Sequence, residues 1–176
     1  GVEPGIKPAA LISKTNHIAV LATESTANSE RLARLIREHA ADVEVQIVPC
    51  PGWATHVEML QLDDPALAAD VHARVGPLLE QGVDCIVLGC THYSFLTPML
   101  AEVIGARAQL IDVAEAVARQ AQRLAGGLAH GSGSVLLQAS SRPEKLLAAL
   151  TRLGLEKIIP RIASDERPPD FIAGPR

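Results

Sequence analysis

Aromatic residues are nearly missing from this chain: one Trp, one Tyr and two Phe among 176 residues. Any core must therefore be aliphatic, and an apolar fraction of 48% is enough to pack one. No run of about 18 or more apolar residues occurs, which excludes a membrane-spanning helix. No cationic opening leads into an apolar stretch, so no secretory leader is visible. Cations are not in excess: 16 Lys and Arg against 20 Asp and Glu leave a net charge of −4. That mixed, slightly acidic surface argues against a nucleic-acid-binding face. Cysteine is scarce too, with three residues and no CxxC spacing, which suits a reducing cytoplasm better than a disulfide scaffold. His17, His39, His72 and His130 show no metal-type spacing, and no metal site is expected. The first residue is Gly rather than Met, and Val2-Glu3-Pro4 reads as the tail of something begun earlier.

What the chain does have is alternation. Gly1–Lys14, with two prolines and two glycines, reads as a connector without periodicity. His17–Ala22 is a buried-type strand, Thr23–Ser29 a hydroxyl-rich loop, and Glu30–Ala40 an amphipathic helix with Leu32, Leu35 and Ile36 inward. A second strand over Val43–Val48 leads to the turn Pro49-Cys50-Pro51-Gly52 and a short helix over Trp53–Leu62 that carries His56 and Glu58. A helix after Asp64-Pro65 runs through Leu67, Val71 and Val75 to Leu78-Leu79, and Gly82 ends it. The apolar run Cys85–Leu88 follows, then a helix from Pro98 to Ile104 with Thr97 as its cap. Beyond it lie a strand over Ala108–Ile111, a helix over Ala114–Leu124, and a break containing Gly126-Gly127. A last strand over Ser134–Gln138, a last helix over Arg142–Leu153 and an extended or disordered tail over 160–176 complete the chain. Strands alternating with helices predict an α/β fold, a parallel sheet flanked by helices on both faces.

Chemistry concentrates where the central strand stops. After Gly89 a thiol, a hydroxyl and an imidazole follow in Cys90, Thr91 and His92, and ligands of open α/β folds bind beyond the carboxyl ends of the strands. The thiolate is the reactive form of cysteine, and helix N-termini and neighbouring imidazoles favour it. The bland alternative is a small buried thiol, which fits mid-strand Cys85 and, between two prolines, Cys50. His92 beside Cys90 is a candidate general acid or base. Thr23 to Ser29 could bind an anion or simply cap a helix. Glu58 in isolation reads as a solvated helix face, and Asp112 as the cap of the helix after it. A cysteine-nucleophile hydrolase is a competing reading, but residues two apart rarely align thiol and imidazole, and no orienting third group is evident.

Leu88-Gly89-Cys90-Thr91-His92-Tyr93 resembles the second-cysteine signature of the glutamate racemases, within the aspartate/glutamate racemase superfamily. Gly1 to Ala9 is similar to their inter-lobe segment. Val20 to Ser29 is similar to their threonine loop, with Ser25 where the family usually has Gly. Cys50 to Glu58 resembles their Cys-Pro segment ending in a glutamate, and Leu110 to Ala116 their return strand and helix. The resemblance implies a cofactor-independent racemisation of glutamate by two cysteines on opposite faces of the α-carbon, supplying D-glutamate for peptidoglycan in the cytoplasm. Cys90 would be one of the two, His92 its assistant and Glu58 the acidic partner of His92. Thr91, Thr23 and Thr26, with His92, would hold the substrate. The Cys-Asn-Thr motif of the family's other lobe does not occur, so the chain is expected to be a second lobe (16–107) with a connector (1–15) and returning elements (108–159) that normally complete the first lobe. Such a piece is expected to lack activity alone, and two copies could pair through exposed apolar surface. A non-catalytic amino-acid- or protein-binding module built on the same fold is the alternative.

Overall fold

The computed structural model describes residues 2–127, 135 and 143–161. The chain divides into two units, Gly1–Gly126 and Gly127–Arg176. The first is built on four parallel strands, β1 (His17–Ala22), β2 (Glu44–Pro49), β3 (Cys85–Leu88) and β4 (Gln109–Ile111), in the order β2-β1-β3-β4. The two central strands have no polar face. Ile18 to Ala22 are all fully buried, and Cys85 to Leu88 nearly so. This is the continuous apolar pattern of a parallel strand covered on both sides.

Alternation along the strands sorts these residues into two cores. Ile18, Val20, Ala22, Cys85 and Val87 face α1 (Ile6–Ile12) and α3 (Glu30–His39) through Ile6, Ala9, Leu32 and Leu35. Ala19, Leu21, Ile86 and Leu88 face the opposite layer, formed by α4 (Trp53–Glu58), α5 (Pro65–Glu80) and α6 (Thr97–Ile104). Each Val, Leu or Ile side chain so buried contributes about 1.5–3 kcal/mol. The expected parallel sheet with helices on both faces is what forms.

Local chemistry sets the element ends. Asp64 caps α5 by accepting the Ala66 N–H at 2.8 Å, with Pro65 at the first helical position. At the foot of β3 the Asp84 carboxylate accepts hydrogen bonds from Ser13 Oγ (2.6 Å), Lys14 N (2.5 Å) and Thr15 N (3.0 Å). Desolvation pushes that carboxyl upward, but the three hydrogen bonds outweigh it and hold it below its ordinary value.

Four expectations need correction. The segment read as an aperiodic connector contains α1, because Ile6 and Ala9 are three apart and both fully buried. Pro8 does not break it, since the first N–H groups of a helix have no intrahelical partner to lose. Thr23–Ser29 is not all loop: Glu24–Ala27 is a helical turn, α2. Thr97 does not cap α6. A 3₁₀ helix over Thr91–Leu96, held by buried Tyr93 and Leu96, runs directly into it, and Thr97 Oγ1 is buried without a partner. Lastly, the strand at 109–111, expected to complete the other lobe, pairs with β3 in this sheet. Gly5 permits this by lying so close to β4 that a Cβ there would meet Ile111 Cγ2 at 2.7 Å.

α7 (Ala114–Ala125) follows β4 as expected, and Asp112 accepts the N–H of Ala114 at 2.8 Å. In the second unit, α8 (Pro143–Arg152) ends through Gly154 in the left-handed conformation, and a 3₁₀ helix spans Glu156–Arg161. The strand expected over Ser134–Gln138 lies outside the described residues save Val135, and so does the tail from 162 onward. No helix among the described residues is long and apolar enough to cross a membrane.

Candidate active site

The chain places β2 on one side of β1 and β3 on the other, so the strand order reverses between β1 and β3 while all strands stay parallel. A crevice opens at such a reversal. Gly89 determines how closely the two strand ends approach. Its N–H donates to Leu21 O at 2.8 Å, and a Cβ there would stand 2.8 Å from the same oxygen and 3.1 Å from Ala22 Cβ. Cys90 comes next, extended, at the head of the 3₁₀ helix and only partly buried.

Three side chains then fall into line. Cys90 Sγ lies 3.7 Å from His92 Nδ1, and His92 Nε2 lies 2.5 Å from Glu58 Oε1 at the end of α4. A carboxylate at Nε2 places the ring proton there and leaves the Nδ1 lone pair facing the thiol. An imidazole so oriented can take the thiol proton or return it. The third group that sequence spacing did not reveal is therefore present. Glu58 reaches His92 across 34 residues of chain, a pairing that spacing alone does not show and that the family resemblance implied. Its side chain is 67% exposed, so the contact is screened by water.

A cavity of about 370 Å³ lies over the strand ends, lined by Gly89, Cys90, Thr91, Ser94, Asp112 and Val117 among others. His92 is not on its wall and stands behind the thiol. A second hollow of about 270 Å³ shares Gly89 with the first and presents Ser25, Thr26, Ser29 and Arg31. Thr26 thus borders open space, whereas Thr23 lines neither hollow. Thr23 Oγ1 donates to Thr26 Oγ1 at 3.0 Å and accepts the Thr26 N–H at 3.2 Å, which is a cap. Of the two readings of that segment, capping is observed for Thr23, and Thr26 is the hydroxyl left at a hollow.

The other two thiols sit apart from this chemistry. Burial pushes Cys50 up to about 12 and Cys85 up to about 11, and Cys50 Sγ is 3.3 Å from Val48 O. Both are the inert core thiols the sequence suggested. Sequence reasoning missed the groups that hold the loop. Ser94 Oγ donates to Asp112 at 3.0 Å, and Tyr93 is fully buried with its hydroxyl on Cys50 O. The scarcity of aromatics was the available signal: Trp53 and Tyr93 meet edge-on beneath the site.

A doubly wound parallel lobe with a thiol, an imidazole and hydroxyls at the point where the strand order reverses defines a class, the open α/β domain whose polar side chains gather at the carboxyl edge of its sheet. More particularly, the chain belongs to the Asp/Glu/Hydantoin racemase family, which it matches over residues 2–121. It is 40% identical over 162 residues to a glutamate racemase of Pseudomonas entomophila, covering 92% of this chain and 59% of that one. With a glutamate racemase of Herpetosiphon aurantiacus it shares 47% over 124 residues, covering 70% of this chain and 49% of the relative. Among solved structures, Escherichia coli glutamate racemase in complex with L-glutamate and the activator UDP-MurNAc-ala superposes with a TM-score of 0.73 at 26% identity, over 89% of this chain and 62% of that one. The chain thus spans about half to three fifths of the length of the curated relatives it matches.

Proposed function

We propose that this chain carries one half of a glutamate racemase site, in which Cys90 exchanges a proton with the α-carbon of glutamate. The observation that supports this best is the line Cys90–His92–Glu58, with its thiol on the wall of the 370 Å³ cavity at the reversal of strand order. In the forward step the Cys90 thiolate takes the α-proton and becomes a thiol, while the electron pair left on carbon delocalises into the adjacent carboxylate. A second thiol on the opposite face then gives its proton to that carbon, so the product has inverted configuration and the two sulfurs have exchanged protonation states. His92 resets Cys90 by accepting the thiol proton at Nδ1, with Glu58 stabilising the resulting imidazolium; solvent then takes that proton and returns one to the opposing thiolate. Thr91 and Thr26, with Thr23 behind it, supply donors for the substrate carboxylates. The carbanionic transition state needs fixed donors and little water, which a cavity walled by Val2, Phe95 and Val117 favours.

Cys50 and Cys85 are too deeply buried to be the second thiol, so the opposing group lies outside these 176 residues. The product, D-glutamate, would serve peptidoglycan synthesis in the cytoplasm. The same line of groups would also suit a cysteine nucleophile, but that reaction would leave a covalent adduct on Cys90, which mass spectrometry would detect. The test mixes this chain with the first lobe of a relative and follows L-glutamate by circular dichroism. Racemisation that disappears with Cys90→Ala is expected. Saturable glutamate binding without racemisation would replace the proposal with the non-catalytic binding module.

A further inference from the structure

The turn that carries Cys90 and His92 is anchored from inside by the residue that follows them. Tyr93 is fully buried, its hydroxyl donates to Cys50 O at 3.1 Å, and its ring meets Trp53 edge-on at 5.3 Å. Both contacts land on the segment Cys50-Pro51-Gly52-Trp53, which launches α4, and α4 ends at Glu58. That segment is fixed from behind as well. Trp53 Nε1 and Arg74 Nε each donate to Asp70 Oδ2 at 2.7 Å, and an Arg74 N–H donates to Pro49 O at 2.8 Å. The Arg74 hydrogen bond, assisted by that of Trp53, holds the Asp70 carboxyl below its ordinary value, so it acts as a fixed anion.

We infer that Tyr93 is the positioning residue of this site: its hydroxyl and ring register the Cys90–His92 turn against α4 and so bring Glu58 to His92. The inference rests on the reading that His92 serves Cys90. Glu58 is too exposed for its pairing with His92 to hold α4 in place, because exposed pairs contribute at most about 1 kcal/mol. The 2.5 Å approach must therefore be set by the backbone, and Tyr93 joins the two backbones directly. A Tyr that only filled the core would need no hydroxyl. This one has its hydroxyl on the carbonyl that precedes the α4 turn, where a phenol can only donate, and burial pushes its ionisation further upward.

The test labels the histidines of the full chain with ¹⁵N and records long-range proton–nitrogen spectra, with His92→Gln assigning the His92 signals. These signals report which ring nitrogen holds the proton, and they need no turnover. In the unaltered chain Nε2 is expected to carry it. Tyr93→Phe is expected to shift both nitrogens toward tautomer-averaged positions, as Glu58→Gln does, while the melting temperature falls by only a few degrees. A core-filling role alone would lower the melting temperature and leave the His92 pattern intact. Should Tyr93→Phe fail to fold, Asp70→Asn, which loosens Trp53 and Arg74 from outside the core, is expected to shift the same signals. An unchanged His92 pattern in the folded variants overturns the inference. Failure of the racemase reading shows separately, as glutamate that does not racemise while the His92 signals still respond to Tyr93→Phe.

Discussion

Replacing Gly89 by Ala should damage the site without touching any polar side chain. The new Cβ would stand 2.8 Å from Leu21 O, 3.1 Å from Ala22 Cβ and 3.2 Å from Val20 Cγ1. A carbon–oxygen contact relaxes only at about 3.3–3.6 Å, so the ends of β1 and β3 must part by roughly half an ångström. Neither side can yield easily, because Leu21 O also accepts the Gly89 N–H at 2.8 Å and Val20 to Ala22 are fully buried. Overpacking of this kind costs about 1–3 kcal/mol. For a chain of this length each kcal/mol lowers the melting temperature by about 2–4 °C, so a fall of roughly 2–12 °C is expected. Cys90 is the next residue, and misplacing a reacting group by about 1 Å can cost a hundredfold in rate. Proton exchange at the glutamate α-carbon should therefore drop by about tenfold or more. Thermal melts followed by circular dichroism and exchange rates from proton NMR make the two measurements. Unchanged melting together with unchanged exchange would refute the close-approach argument.

Three other outcomes follow from the same geometry. Iodoacetamide at pH 8 should modify Cys90 and spare Cys50 and Cys85, whose burial holds them as thiols up to about 12 and about 11, and peptide mass spectrometry reads the pattern. Asp84→Ala should destabilise the fold by about 1 kcal/mol at pH 7, since its carboxylate accepts three hydrogen bonds. The folded carboxyl lies below its ordinary 3.8, so this stabilisation is present above that pH and is lost as pH falls through the folded value. Urea melts at pH 7 and in acid should show the gap between the two chains closing in acid. Asp70→Asn should loosen the indole of Trp53, the chain's single Trp, and its fluorescence should move to longer wavelength.

Where a residue's fate is decided by its own stretch of chain, the sequence was readable. The runs Ile18–Ala22 and Cys85–Leu88 have no polar position, so they could only be strands covered on both faces, and Gly89 followed by Cys90 marked the point where the crevice opens. The same holds for Cys50 and Cys85 as core thiols. What escaped was decided by partners far along the chain. α1 exists because Ile6 and Ala9 find a core, and Pro8 within it and Pro4 before it disguised it. Thr97-Pro98 does mark the start of α6, but buried Tyr93 and Leu96 run a 3₁₀ turn straight into it, so Thr97 caps nothing. The strand at 109–111 could have served either lobe, and only its register with β3 places it. Glu58 taken alone looked like a solvated helix face, and only the family resemblance pointed to His92: it is exposed, yet one oxygen reaches that ring.

The central claim is that Cys90 moves the α-proton of glutamate. Its most direct test is proton NMR of L-glutamate and D-glutamate in D2O, with this chain and a complementing first lobe present together. The account predicts that the α-proton signal disappears, that Cys90→Ala preserves it for the substrate enantiomer facing this thiol, and that Glu58→Gln slows its loss. Undiminished exchange from both enantiomers with Cys90→Ala would contradict the account.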